Sequence, residues 1–124
     1  MQSLFLVMAG GSVGAGLRHL VGRATLAAFG PGWPWGTMIV NLVGGLLMGV
    51  LAGTLARGAL GEPARLLLGV GVLGGFTTFS AFSLDALMMI ERGAPGAMLA
   101  YVAVSVIGSI AAVAGGLSLA RVLG

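Results

Sequence analysis

The chain has 124 residues, 58% of them apolar and only 7% charged, with a mean hydropathy of +1.11. Water-soluble domains carry about a quarter charged residues, so this balance argues against a cytosolic enzyme, and the absence of cysteine argues against a secreted disulfide scaffold. The pI near 11.3 reflects six arginines against three carboxylates, and the arginines are scattered, which argues against the clustered basic surface that nucleic acid requires.

A transmembrane helix takes about 20 mostly apolar residues, so four spans use about 80 and leave only short loops. The first run covers about residues 4–29; no basic segment of signal-peptide type opens it and three similar runs follow, so it is expected to be retained. Gly30-Pro31-Gly32-Trp33-Pro34-Trp35 breaks the pattern, with two tryptophans suited to the headgroup boundary. The second run covers about residues 36–55, the third 64–90 and the fourth 96–119, separated by the polar stretches at Arg57–Pro63 and Glu91–Pro95. The expected fold is therefore all-α, a single membrane domain over residues 1–124 with both termini on one side.

Orientation follows the arginines near the span ends. Arg57, Arg65 and Arg121 lie on the side of the termini, and Arg18, Arg23 and Arg92 on the other if Arg18 counts as a loop charge. The balance fits a chain that inserts both ways and pairs antiparallel; it also fits an orientation set by one weak charge, or by Arg18 lying inside the membrane. Small residues recur every four positions, at Gly45, Gly49 and Gly53 and at Gly108, Ala112, Gly116 and Ala120. That spacing lets helix backbones approach, within one chain or between two.

In hydrocarbon each polar group needs a partner, which makes mid-span polar residues informative. Thr37, Asn41, Gly45 and Gly49 share one stripe of the second run, and Tyr101, Ser105 and Ser109 share one of the fourth. Interhelical hydrogen bonding and a hydrated pathway both use such stripes. The third run contains Gly71-Val72-Leu73-Gly74-Gly75-Phe76-Thr77-Thr78-Phe79-Ser80-Ala81-Phe82-Ser83, where glycines and hydroxyls favour a helix break. Freed carbonyls there bind cations, and freed amides bind anions. Phe79 and Phe82 share a face, either as core or as ring edges of partial positive charge. Asp85 fits a proton or cation site, or a carboxylate snorkelling to headgroups. His19 has no second histidine, cysteine or carboxylate cluster beside it, so no transition-metal site is expected, and no serine has an activating base, so no enzyme is expected.

Three segments together resemble the CrcB/Fluc family of fluoride channels across nearly the whole chain. Gly11-Ser-Val-Gly14-Ala15-Gly16-Leu-Arg18-His19 is similar to a family stretch that ends in arginine and an aromatic, with histidine where tyrosine is usual. Gly36-Thr37-Met38-Ile39-Val40-Asn41-Leu-Val-Gly44 resembles Gly-Thr-x-x-x-Asn-x-x-Gly. Gly74-Gly75-Phe76-Thr77-Thr78-Phe79-Ser80-Ala81-Phe82 resembles Gly-Gly-x-Thr-Thr-Phe-Ser-Thr-Phe, with Ala81 in place of a threonine.

The resemblance implies an antiparallel, dual-topology homodimer in the bacterial inner membrane that passively exports fluoride and so prevents its toxicity. It implies that Asn41, Phe79, Phe82, Tyr101, Ser105 and Ser109, joined by Thr37, line the fluoride path. It further implies that the main-chain carbonyls of Gly74 and Thr77 hold a structural sodium ion at the dimer interface, and that Arg18 lies near the pore vestibule. Small multidrug exchangers share the size and span count but need a carboxylate in the first helix, and this first run has none. A scaffold subunit would satisfy the glycine stripes but leaves the Thr-Thr-Phe-Ser segment without a purpose.

Overall fold

The computed structural model describes residues 1–124, and the chain folds into four helical rods: α1 (Gln2–Phe29), α2 (Trp35–Ala56), α3 (Glu62–Glu91) and α4 (Pro95–Leu123). Each is long and apolar enough to cross a membrane. Gly30 and Gly93 sit at φ 74° and 77°, a left-handed conformation open to glycine, and each follows directly on the end of a helix or its cap. Trp35 packs against Phe29 at 5.4 Å between ring centroids and so pins the α1–α2 turn. At the opposite end Arg57 donates from Nη1 to the Ala120 carbonyl at 3.0 Å, placing a cation at the C-terminus of α4 where free carbonyls accumulate.

Glycine sets how closely the rods pack. Between α2 and α4, a Cβ added at Gly49 would overlap the Val113 carbonyl oxygen, and one at Gly116 would overlap that of Leu46. Between α1 and α3, Gly10 and Gly14 press on the Leu67 and Val72 carbonyls. Both small-residue stripes foreseen in α2 and α4 are thus spent inside one chain, since Gly45, Gly49 and Gly53 meet α4 while Gly108, Gly116 and Ala120 meet α2. Helices packed this tightly gain dispersion contacts in place of the hydrophobic drive that lipid cannot supply.

The third rod is not one regular helix. A short α-helical start at Glu62–Ala64 leads into a π-helical stretch, Arg65–Leu73, then a last turn, Gly74–Phe76. Thr77 is extended, with φ −85° and ψ 160°, and the helix resumes at Ser80–Glu91. The break expected from the glycine and hydroxyl content therefore lies at residues 77–79. Below it a buried cluster of Met38, Phe82, Met89 and Tyr101 joins α2, the second half of α3 and α4.

The packing predicts opposite outcomes for two glycines. Gly49→Val forces backbone apart against Val113 and should cost about 2 kcal/mol, whereas Gly16→Ala, with no atom within 4 Å of its new methyl, should leave stability unchanged. Unfolding of the two purified variants in detergent, followed by circular dichroism, measures the contrast.

Candidate functional site

Breaking a helix inside a bilayer exposes amides and carbonyls that water cannot reach, so the break must be satisfied by the protein. Thr77 closes the first half, its amide and Oγ1 both donating to the Leu73 carbonyl at 3.0 and 2.9 Å. Asn41 of α2 clamps the next residue at both ends: its Oδ1 accepts from the Thr78 amide at 2.8 Å, and its Nδ2 donates to the Thr78 carbonyl at 3.0 Å. Thr78 Oγ1 accepts from the Ala81 amide at 3.2 Å, capping the start of the second half. Arg18 of α1 donates from Nε to the Gly75 carbonyl at 3.0 Å, a cation at the end of the first half-helix. These bonds leave the carbonyls of Gly74 and Thr77 without a donor from the chain.

Arg18 is thus not a loop charge. About 16 Å of helix separates it from Phe29, and its side chain is committed to the break. Without it, the arginines at the span ends number three on the side of the termini and two, Arg23 and Arg92, on the other.

A cleft of about 410 Å³ opens beside the break and collects the predicted residues from three helices: Asn41 from α2, Phe79 and Phe82 from α3, and Ser105 and Ser109 from α4. Phe79 and Phe82 have ring centroids 5.7 Å apart, and Phe79 is 77% exposed beside the break while Phe82 is buried. Ser105 Oγ is buried and makes no hydrogen bond. Other span hydroxyls behave differently: Ser12, Thr25, Thr54 and Ser83 each donate to the carbonyl four residues back, at 2.8 to 2.9 Å. Ser105 is a buried polar group aimed at something the chain itself does not provide.

Tyr101 and Thr37 lie outside this cleft, nearer the turn between α1 and α2. Tyr101 is fully buried, its ring 5.2 Å from that of Phe82, and its hydroxyl donates to Asp85 Oδ2 at 3.1 Å. Asp85 therefore does not simply snorkel; it has a fixed partner within the protein. Thr37 and Asp85 line a second cavity, of about 330 Å³, under the turn. Thr37 also borders a third, of about 290 Å³, lined by the cations Arg18 and Arg23 together with His19 and by no carboxylate. The sequence reading missed three contributors: Thr78 as the residue clamped by Asn41, Gly75 as the acceptor for Arg18, and Trp33 against Tyr101. The signal for the first two was the break itself, which needs partners that only a few side chains in the spans can supply.

The family profile described as CrcB-like protein, Camphor Resistance (CrcB), matches residues 5–117. The chain belongs to the CrcB family. Its relatives include a protein of Sphingopyxis alaskensis, 56% identical over 99% of this chain and 98% of the relative. A protein of Phenylobacterium zucineum is 57% identical over 98% and 97%, and one of Novosphingobium aromaticivorans 51% identical over 98% of each. All three carry the name Fluoride-specific ion channel FluC. In CrcB terms, the first and third resembling segments meet in space through Arg18 and Gly75, and the second and third through Asn41 and Thr78.

The clamp predicts a distinctive outcome for Asn41→Asp. The carboxylate still accepts from the Thr78 amide but sets a negative oxygen against the Thr78 carbonyl, costing about 2 kcal/mol of stability. Hydrogen exchange should quicken at Thr78 and Ala81 while the α1–α2 turn stays protected, and unchanged exchange at the break would contradict the clamp.

Proposed function

We infer that this chain is a fluoride-selective channel that lets fluoride leave the cytoplasm down its gradient and so prevents fluoride toxicity. The observation that carries this reading is the near full-length identity, 51% to 57%, to relatives named as fluoride-specific ion channels. The polar cleft supports it. Fluoride is small and strongly hydrated, so a path must replace its water with close donors without a deep well that traps it. The free N–H of Asn41, the unpaired hydroxyl of Ser105, that of Ser109 and the edges of Phe79 and Phe82 supply such donors. No arginine lies in this cleft, so no fixed cation holds the ion there. Thr37 and Tyr101 continue the path toward the turn, and Arg18 and Arg23 make the cavity beside it attractive to anions.

The working unit in this reading is an antiparallel, dual-topology homodimer, multi-pass in the bacterial inner membrane. Phe79 and the break lie open on one face of a single chain, and non-helical backbone at membrane depth needs protein cover. A second copy meets that need. Arginines near the span ends, three against two, leave little preference for one insertion direction.

A structural sodium ion fits the same face. The Gly74 and Thr77 carbonyls are hard oxygen donors without hydrogen bonds from the chain, and two copies facing each other would offer both pairs. Bound there, the ion would neutralise the carbonyl dipoles and add fixed positive charge beside the cleft that Thr77 also lines.

Liposomes containing the purified protein should lose fluoride rapidly while retaining chloride, as read by parallel ion-selective electrodes. Phe82→Ile, which keeps an apolar side chain but removes the ring edge, should slow fluoride loss by about tenfold or more. Retained fluoride in liposomes with verified dimers would sink the channel reading.

A further inference from the structure

Tyr101 is gripped from three directions. Asp85 accepts its hydroxyl, Phe82 flanks its ring on the side of the break, and Trp33 meets the ring on the side of the turn. The Trp33 contact is perpendicular, with centroids 5.7 Å apart and planes at 88°. Trp33 belongs to the Pro31–Pro34 turn, whose composition reads as a simple interfacial anchor. Its environment is different from that of a headgroup anchor. The indole Nε1 is shielded from solvent and has no oxygen or nitrogen acceptor, which a buried donor tolerates only at a cost. Of a tyrosine ring only the electron-rich face can accept such a group, and a perpendicular arrangement of the two rings is compatible with that contact.

Trp33 also completes a continuous aromatic series. From the turn inward, Trp35, Trp33, Tyr101, Phe82 and Phe79 follow one another with centroid separations of 6.2, 5.7, 5.2 and 5.7 Å. The last three are the aromatic residues of the fluoride path, so the turn is mechanically joined to that path through one side chain. Trp33 shares the mouth cavity with Thr37 and with Asp85, the carboxylate that accepts the same ring's hydroxyl. A swing of Tyr101 about χ1, which moves the whole ring, would carry its hydroxyl off Asp85 Oδ2, whereas a flip about the ring axis would leave that oxygen in place. Trp33, packed against the ring on the side of the turn, opposes that swing.

We propose that Trp33 is a positioning residue for fluoride permeation, holding the Tyr101 ring so that its hydroxyl stays bonded to Asp85 at the mouth of the path. This rests on the fluoride-channel reading above. Trp33 acts through Tyr101, and an aromatic edge at position 33 is what the role requires.

The test is fluoride efflux from liposomes for Trp33→Leu and Trp33→Phe, each alone and combined with Tyr101→Phe. Trp33→Leu should slow efflux about five- to tenfold, and Trp33→Phe, which restores a ring edge, should recover most of it. In the Tyr101→Phe background there is no hydroxyl left to position, so Trp33→Leu should add less than about a twofold change. Trp33→Met, with bulk but no ring, replaces Trp33→Leu if the latter does not fold as judged by gel filtration. Unchanged efflux on loss of the ring overturns the proposal, and so does an equal loss with and without the tyrosine hydroxyl, which would mark a merely structural role. No fluoride efflux from the unsubstituted protein overturns the channel reading and this proposal together.

Discussion

An interrupted backbone in the middle of a bilayer has no water to turn to, and that constraint organises this molecule. The break at residues 77–79 would leave several amides and carbonyls unpaired, each worth several kcal/mol in hydrocarbon. Asn41, Arg18 and the Thr77 and Thr78 hydroxyls answer most of that demand, from α2, from α1 and from α3 itself. The donors come from different helices, so the break holds its shape only while all of them are packed in register. Glycine contacts between α1 and α3 supply that register on one side, because Gly14 and Gly75 bring Arg18 within reach of its carbonyl.

The polar residues of the spans divide into two groups by what satisfies them. Thr25, Thr54 and Ser83 bond to their own helical turn and ask nothing of their surroundings. Ser105 does not, and neither do the carbonyls of Gly74 and Thr77. Ser105 and Thr77 both line the cleft with Asn41, Phe79 and Phe82, so an unpaired donor and the open end of the broken helix come together beside one another.

Much of this was legible in the sequence, and the reason is that lipid makes hydropathy and helix punctuation strong signals. The four rods, the turn at Gly30-Pro31-Gly32 and the interruption after Gly74-Gly75 all follow from local composition. The company of Asn41, Phe82, Ser105 and Ser109 in one cleft was legible as stripes with four-residue spacing. The role of Asn41 at the break was not, because its partner lies 37 residues away and periodicity says nothing about which helix a stripe faces. Arg18 was misleading for a similar reason: its position in the helix admitted a loop charge, and only the bond to Gly75 decides against it. Trp33 read as a membrane-surface anchor because tryptophan beside proline and glycine is usual there, while its contact with Tyr101 depends on how α4 packs under the turn.

The commitment of Arg18 to the helix break has a consequence for how genes of this kind can change. With that charge withdrawn, the arginines that a translocation machine reads differ by one between the two sides. A single arginine gained or lost in a loop is then enough to bias every copy one way. In the dual-topology reading proposed above, a gene duplication would let two daughters each take one such step in opposite senses, so that one gene serving both orientations and two genes serving one each are separated by very few mutations, none of which needs to touch the break or the cleft.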